Sequence, residues 1–126
     1  MSYRTPRVMA TGHGSAGAGS HHWWIQRVTA VALIPLAILA IFPFAGAVGA
    51  DHDSVLELYR NPFNAIVMAL FLATMFYHLM LGLQVVIEDY FHAKAWRMVL
   101  LLANQFFCAA FGFAGVFAVL KIAFTG

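Results

Sequence analysis

The sequence is poor in charge and in cysteine. Only 10% of its 126 residues are charged, with seven Lys or Arg and five Asp or Glu, whereas a soluble domain carries about 25%. So few charges, with a net charge of +2, exclude a nucleic-acid-binding surface. The single cysteine, Cys108, excludes an internal disulfide and a cysteine-based metal site. The whole chain is 63% hydrophobic, and a lipid bilayer is the expected solvent for such a chain.

Three long apolar segments occupy most of the chain, at residues 28–50, 63–88 and 98–124. Each is at least as long as the ~20 residues that span a bilayer as a helix. The interiors of the first two contain no charged residue, and the third contains only Lys121, close to its end. We therefore predict an all-α membrane protein with three transmembrane helices, formed by a single domain at residues 21–126.

The segment before the first apolar run is rich in glycine and serine. Residues 1–20 are therefore predicted to form a flexible tail that cannot bury a core. A basic start followed by an apolar run is also typical of a secretory signal peptide, but the hydrophobic part of such a peptide is only about 7–15 residues long. Because the run at residues 28–50 is longer, we interpret it as a transmembrane helix.

Lysine and arginine are distributed unevenly between the two ends of the predicted helices. Three arginines precede or begin the first helix, and Lys94 and Arg97 lie between the second and the third. The opposite side has only Arg60 and Lys121. Since positive residues favour the cytoplasmic side, the N-terminus is predicted to lie inside and the C-terminus outside.

His78 is the one histidine deep inside an apolar segment. Counted from Phe63, it lies about 22 Å along the second helix, close to the middle of the membrane. Its neutral imidazole has two interpretations. It either hydrogen-bonds within the helix bundle, with Thr74 one turn away as a candidate partner, or it binds haem iron. Gly82 lies one turn further on the same face of the helix, and Asp89 lies on that face as well. Gly82 has no side chain to block a flat ligand.

A low-spin haem b requires two axial ligands, and the sequence has no second deep histidine. Met68, Met75 and Met80 are chemically possible ligands. Met75 and Met80, however, lie too close to His78 on one helix to reach the opposite face of a haem. A second ligand from another protein of the same complex is the simpler hypothesis.

Arg27 lies at the inner end of the first predicted helix, and His21 lies six residues earlier. A guanidinium binds carboxylates in a bidentate manner, so Arg27 could pair with the haem propionates with help from His21. The alternative is an anchor that contacts lipid phosphate.

Two sequence patterns resemble one known family. The residues from His21 to Ala30 (HHWWIQRVTA) and the pattern H-x3-G-x-Q-x4-D-Y from His78 to Tyr90 are similar to the small hydrophobic membrane-anchor subunits of bacterial succinate dehydrogenase (complex II). The resemblance covers nearly the whole chain. It implies a complex in which a flavoprotein oxidises succinate, an iron–sulfur subunit relays electrons, and two membrane subunits bind haem b and ubiquinone.

The same resemblance implies roles for five residues. His78 is expected to be an axial ligand of a haem b shared with a second membrane-anchor subunit, and Arg27 and His21 are expected near the propionates. Asp89 and Tyr90 are expected in the ubiquinone site. A phenol can donate a hydrogen bond to a quinone carbonyl, and a nearby carboxylate can supply protons. Without the resemblance, Tyr90 and Asp89 are better explained as an interfacial tyrosine and a solvated aspartate.

The resemblance also implies a place in the cell. The chain is expected in the bacterial inner membrane, contributing to electron transport and to the tricarboxylic acid cycle without oxidising succinate by itself. Three alternatives remain open from the sequence. They are a purely structural anchor without a cofactor, a small fumarate-reductase-type cytochrome b subunit, and a proton-translocating subunit. A proton path would need several polar residues at different depths, which disfavours the last of these.

The charge asymmetry makes a testable prediction about orientation. An alkaline phosphatase fused after residue 126 should be active, because that end is expected outside the cytoplasm. The same reporter fused in the loop after Phe91 should be inactive and serves as the matched control. An inactive alkaline phosphatase at the C-terminus, together with an active C-terminal fusion of a reporter that works only in the cytoplasm, would contradict the predicted orientation.

Overall fold

The computed structural model describes residues 15–125, and every regular element in that range is a helix. The helices are α1 (Ser15–Ala47), α2 (His52–Arg60), α3 (Pro62–Tyr90) and α4 (Lys94–Thr125). Three of them are long and apolar enough to cross a membrane, at Ser20–Ala47, Pro62–Tyr90 and Lys94–Thr125. The prediction of an all-α membrane protein with three transmembrane helices is confirmed. Residues 1–14 of the predicted tail lie outside the described residues, whereas residues 15–20 belong to α1.

The helices α1 and α4 begin earlier than their apolar runs. They start at Ser15 and Lys94, compared with residues 28 and 98 in the sequence-based prediction. Hydropathy marks only the part of a helix that lies in hydrocarbon, and polar or aromatic turns at the membrane surface can continue the same helix.

The end of α1 requires a glycine, because Gly49 has a φ of 77° in the turn that follows Ala47.

A short helix, α2, occupies the loop between the first two spanning helices. Asp51 caps it, accepting a hydrogen bond from the backbone N–H of Ser54 at 3.3 Å. Hydrogen bonds from Ser54 hold the pKa of the Asp51 carboxyl below its usual range. Asn61 caps α3 in turn, accepting from the N–H of Phe63 at 2.9 Å, with Pro62 in the first turn. Two successive caps therefore define the turn between α2 and α3.

The core of the bundle lies at the end where α2 packs. The central helix α3 packs against both α1 and α4, and α2 contacts all three long helices. The buried side chains of this core come from every helix and are Ala40, Tyr59, Ala65, Val67, Met68 and Val119. Elsewhere the long helices expose most of their apolar side chains, as lipid-facing helices do.

Two glycines of α4 allow that helix to approach α3 closely. A Cβ atom at Gly112 would lie 3.3 Å from the Cβ of Phe76, and one at Gly115 would lie 3.2 Å from Cδ1 of Leu72. Small residues are common where membrane helices meet, because they let the backbones come together.

A buried amide provides a polar contact at the same interface. Asn104 is only 8% exposed, and its side-chain N–H donates to the backbone carbonyl of Met80 on α3 at 2.9 Å. Its carbonyl oxygen accepts from the thiol of Cys108 at 3.4 Å. Both polar ends of the side chain are therefore satisfied within the membrane, where an unpaired polar group would be costly.

The two glycines are predicted to differ when replaced by alanine. The Cβ of Phe76 is fixed to its backbone and cannot yield to Gly112→Ala, so overpacking of about 1–3 kcal/mol should lower stability. The terminal methyl of Leu72 can rotate away from Gly115→Ala, which should also gain up to about 1 kcal/mol of helix propensity. The measurement is the midpoint of thermal unfolding of the detergent-solubilised protein with its native partners. Equal midpoints for the two variants would contradict this account of the interface.

Candidate functional site

The imidazole of His78 contacts a threonine on the neighbouring transmembrane helix. His78 is partly buried, and its Nδ1 lies 2.9 Å from Oγ1 of Thr29 on α1. The same oxygen lies 2.9 Å from the backbone carbonyl of Ile25 and 3.0 Å from that of Gln26. The threonine hydroxyl therefore stands between its own helix backbone and the histidine ring.

These distances fit one tautomer of His78. A hydroxyl has one hydrogen to donate, and the carbonyl oxygens of Ile25 and Gln26 both lie within hydrogen-bond distance of the Thr29 hydroxyl. When Thr29 donates that hydrogen to its own helix, its oxygen accepts from His78, and Nδ1 carries the ring hydrogen. In a neutral imidazole this leaves the lone pair on Nε2, and Nε2 makes no hydrogen bond with any residue of the described range. Metal-binding histidines are held in this same way, through a hydrogen bond from the second ring nitrogen.

The space beside His78 is open. A Cβ atom added at Gly82 would meet nothing within 4 Å, in contrast to the crowded glycines of α4. The predicted alternative partner, Thr74, makes no hydrogen bond with His78. Within residues 15–125, no group of three or more His, Cys, Asp or Glu side chains is arranged to hold a bare metal ion. The site thus offers one neutral imidazole next to the open helix face at Gly82. This single donor fits an iron porphyrin, because the porphyrin supplies four ligands of its own.

Arg27 lies on a different face of α1 from Thr29. Two residues separate them, which corresponds to about 200° of rotation around the helix. The guanidinium of Arg27 lies 5.3 Å from the centre of the Trp23 ring, a cation–π contact. His21 is exposed, and eight residues place it about 80° from Thr29 around the helix. The structure thus does not bring Arg27 or His21 onto the side of α1 that contacts His78.

His22 instead shares the Thr29 face of α1, since seven residues make almost two complete turns. Its side chain is partly buried, and its Nε2 is inaccessible to solvent and has no hydrogen-bond partner among the described residues. The sequence-based prediction named the neighbouring His21, because it lies six residues before Arg27 and belongs to the motif that resembles the family.

Tyr90 and Asp89 lie at the last turn of α3 and are exposed. Tyr90 is 77% exposed, and its hydroxyl makes no hydrogen bond within the described range. Along the helix axis it is about 18 Å from His78, and around the axis it points about 120° away. Asp89 stays within about 20° of the His78 face. The two predicted quinone residues are therefore adjacent to each other but distant from the imidazole.

An apolar groove of about 300 Å³ lies on another side of α3. It is formed between α3 and α4 and is lined by residues that include Phe76, Tyr77 and Gly112. Phe76 lies about 200° around the helix from His78. The groove is therefore separate from the histidine site.

Comparison with known proteins identifies the family. Residues 1–120 match a family model described as "Succinate dehydrogenase/Fumarate reductase transmembrane subunit". The chain belongs to this family. The chain is also similar to proteins named succinate dehydrogenase hydrophobic membrane anchor subunit from Rickettsia bellii, 35% identical over 83% of this chain and 84% of the relative, and from Paracoccus denitrificans, 34% identical over 97% and 94%. A third, named succinate dehydrogenase membrane anchor subunit, from Reclinomonas americana, is 32% identical over 65% and 71%. No solved structure matches the chain.

Family membership and the three spanning helices together make the chain a multi-pass membrane protein. The contact of His78 that the sequence did not predict is the one with Thr29. Thr29 stands in the His21-to-Ala30 motif that carried part of the resemblance. Periodicity gives no reason, however, to pair it with a histidine 49 positions later.

Proposed function

We propose that the chain is the small membrane-anchor subunit of a bacterial succinate:quinone oxidoreductase, and that it contributes to a haem b site and a ubiquinone site. The observation that carries the haem part is the His78 imidazole, which is held through Nδ1 and keeps Nε2 free. The names of the relatives support the anchor role. Partners in this proposal are a second membrane anchor, an iron–sulfur subunit and a flavoprotein subunit.

His78 would hold the haem through Nε2, and the absent side chain at Gly82 would leave room for the porphyrin face. Haem b, when bound, supplies a one-electron redox centre inside the membrane. The second axial ligand would come from the second membrane anchor, since Met75 and Met80 share the helix of His78.

Arg27 and His21 are proposed to contact the haem propionates. The contact with Trp23, at 5.3 Å from the ring centre, is a cation–π contact and not a hydrogen bond, so the N–H groups of Arg27 remain available to carboxylates. Arg27 and His21 are both exposed and lie within two turns of each other at one end of α1.

Tyr90 and Asp89 are proposed to act on ubiquinone at the inner membrane surface. The Tyr90 hydroxyl is free to donate a hydrogen bond to a quinone carbonyl oxygen. Reduction of the quinone consumes two protons, and the exposed Asp89 carboxylate next to it can pass protons from water. Because Tyr90 points away from the His78 face, the other walls of this pocket would belong to the second anchor and the iron–sulfur subunit.

The inner end of the protein would also carry the docking surface for the soluble subunits. Large aromatic side chains are exposed there, in the N-terminal half of α1, at and just after the end of α3, and in the first turn of α4; they are Trp23, Trp24, Tyr90, Phe91 and Trp96. Such residues are typical of the membrane–water interface and of protein contacts.

The family description also names fumarate reductase, which makes a fumarate-reductase-type cytochrome b subunit the second candidate. The ratio of succinate oxidation to fumarate reduction by the purified complex distinguishes the two. A purely structural anchor would give a colourless membrane domain, whereas the proposed function requires a reduced-minus-oxidised spectrum of the b type.

The haem assignment predicts the effect of replacing His78. His78→Ala removes the ligand nitrogen, so the complex should lose haem or show a changed spectrum and changed electron paramagnetic resonance (EPR) signals of the ferric iron. Haem is measured per flavin by the pyridine haemochrome method. His52→Ala, at an exposed residue of α2 at the other end of the bundle, is the control and should match the wild type. Unchanged spectra and EPR signals in His78→Ala would remove His78 from the ligand set.

The quinone assignment predicts a selective effect of Tyr90→Phe. The variant loses one hydrogen bond, worth about 0.5–1.5 kcal/mol, so quinone binding should weaken by about tenfold or less. Quinone reduction should slow, while succinate oxidation by an artificial soluble acceptor stays unchanged. Tyr77→Phe, in the separate apolar groove, is the matched control. Wild-type quinone reductase activity and inhibitor affinity in Tyr90→Phe would show that Tyr90 is only an interfacial aromatic.

A further inference from the structure

We propose that Thr29 is a positioning residue for the haem ligand His78, setting both its tautomer and its ring orientation. This inference rests on the proposed function, because it assumes that His78 binds iron. The observation behind it is the 2.9 Å contact between Oγ1 of Thr29 and Nδ1 of His78, which joins α1 to α3.

The threonine oxygen is a well-fixed acceptor. The carbonyls of Ile25 and Gln26, at 2.9 and 3.0 Å on its own helix, are acceptors for its hydrogen, and the hydroxyl would give up these contacts if it donated to the histidine. The Nδ1–H of His78 consequently has a single acceptor in a fixed position, which is Oγ1 of Thr29. This keeps Nε2 unprotonated and fixes the direction in which its lone pair points.

The hydrogen bond also changes the ligand itself. Donating from Nδ1 to an oxygen increases the electron density on the imidazole and makes Nε2 a stronger base. A more basic ligand favours ferric over ferrous iron, which lowers the midpoint potential. Without Thr29 the Nδ1–H would lie unpaired among apolar helices, where a polar group without a partner is unfavourable. The ring would then turn to find another acceptor, and the iron–nitrogen geometry would change with it.

The test uses the assembled complex with Thr29→Val, which keeps the shape of the side chain and removes the acceptor. The midpoint potential of the haem should become more positive, and the EPR signals of the ferric iron should shift. Haem dissociation should be faster, by about 10–100-fold, as for other losses of an outer partner of a metal-binding histidine. Thr29→Ser restores the hydroxyl and should return all three properties to wild-type values.

Thr74→Val is the matched control. It makes the same chemical change one turn from His78 on α3, at a threonine that makes no hydrogen bond with the ring, and should leave potential and EPR signals unchanged. A merely structural role of Thr29 would alter stability without moving the potential. Should the valine variant fail to assemble, Thr29→Ala, measured in membranes without purification, makes the same test with a smaller side chain.

The possible outcomes separate this inference from the proposed function. A wild-type complex without haem, or a His78→Ala complex with an unchanged spectrum, overturns the proposed function and this inference together. If His78→Ala confirms ligation but Thr29→Val and Thr29→Ala keep the wild-type potential and EPR signals, only the positioning role is overturned. The positioning role is supported if the midpoint potential and the EPR signals shift in both Thr29→Val and Thr29→Ala and have wild-type values in Thr29→Ser.

Discussion

Helix association inside a bilayer depends on close packing and on polar contacts, because lipid tails are as apolar as the helices they surround. In the described part of the chain, two side-chain hydrogen bonds join the membrane-spanning helices. Asn104 of α4 donates to the backbone of α3, and the ring of His78 on α3 meets Thr29 on α1. Both involve α3, which packs against both other spanning helices. The arrangement of the bundle therefore depends on one helix presenting different chemistry to its two neighbours.

The same residue type serves opposite purposes on α3 and α4. Gly112 lies against Phe76, and the neighbouring helix fills the space that a side chain at Gly112 would occupy. Gly82, beside His78, has no atom close to its missing side chain, so that space stays open at the surface of the chain. The first glycine stabilises the fold, and the second leaves room for a molecule that is not part of the chain.

The number and type of the spanning helices were predictable because the bilayer imposes a minimum apolar length. Helix starts were less predictable, since α1 extends through a polar and aromatic segment. The short helix α2 had a readable signal, the cap at Asp51 followed by apolar residues at helical spacing. The deep histidine was also predictable, but its partner Thr29 was not. That contact depends on the rotation of two helices about their axes, which the sequence of either helix leaves undetermined.

The contact between Thr29 and His78 has a consequence for the order of assembly. Immobilising a side chain costs about 0.5–1.5 kcal/mol of entropy at an interface. Because both residues belong to one chain, this ordering is complete as soon as α1 and α3 pack, and association with partner proteins does not have to supply it. Under the proposed function, a newly inserted chain would thus carry a preorganised half of the haem site, with its imidazole already oriented before any partner binds.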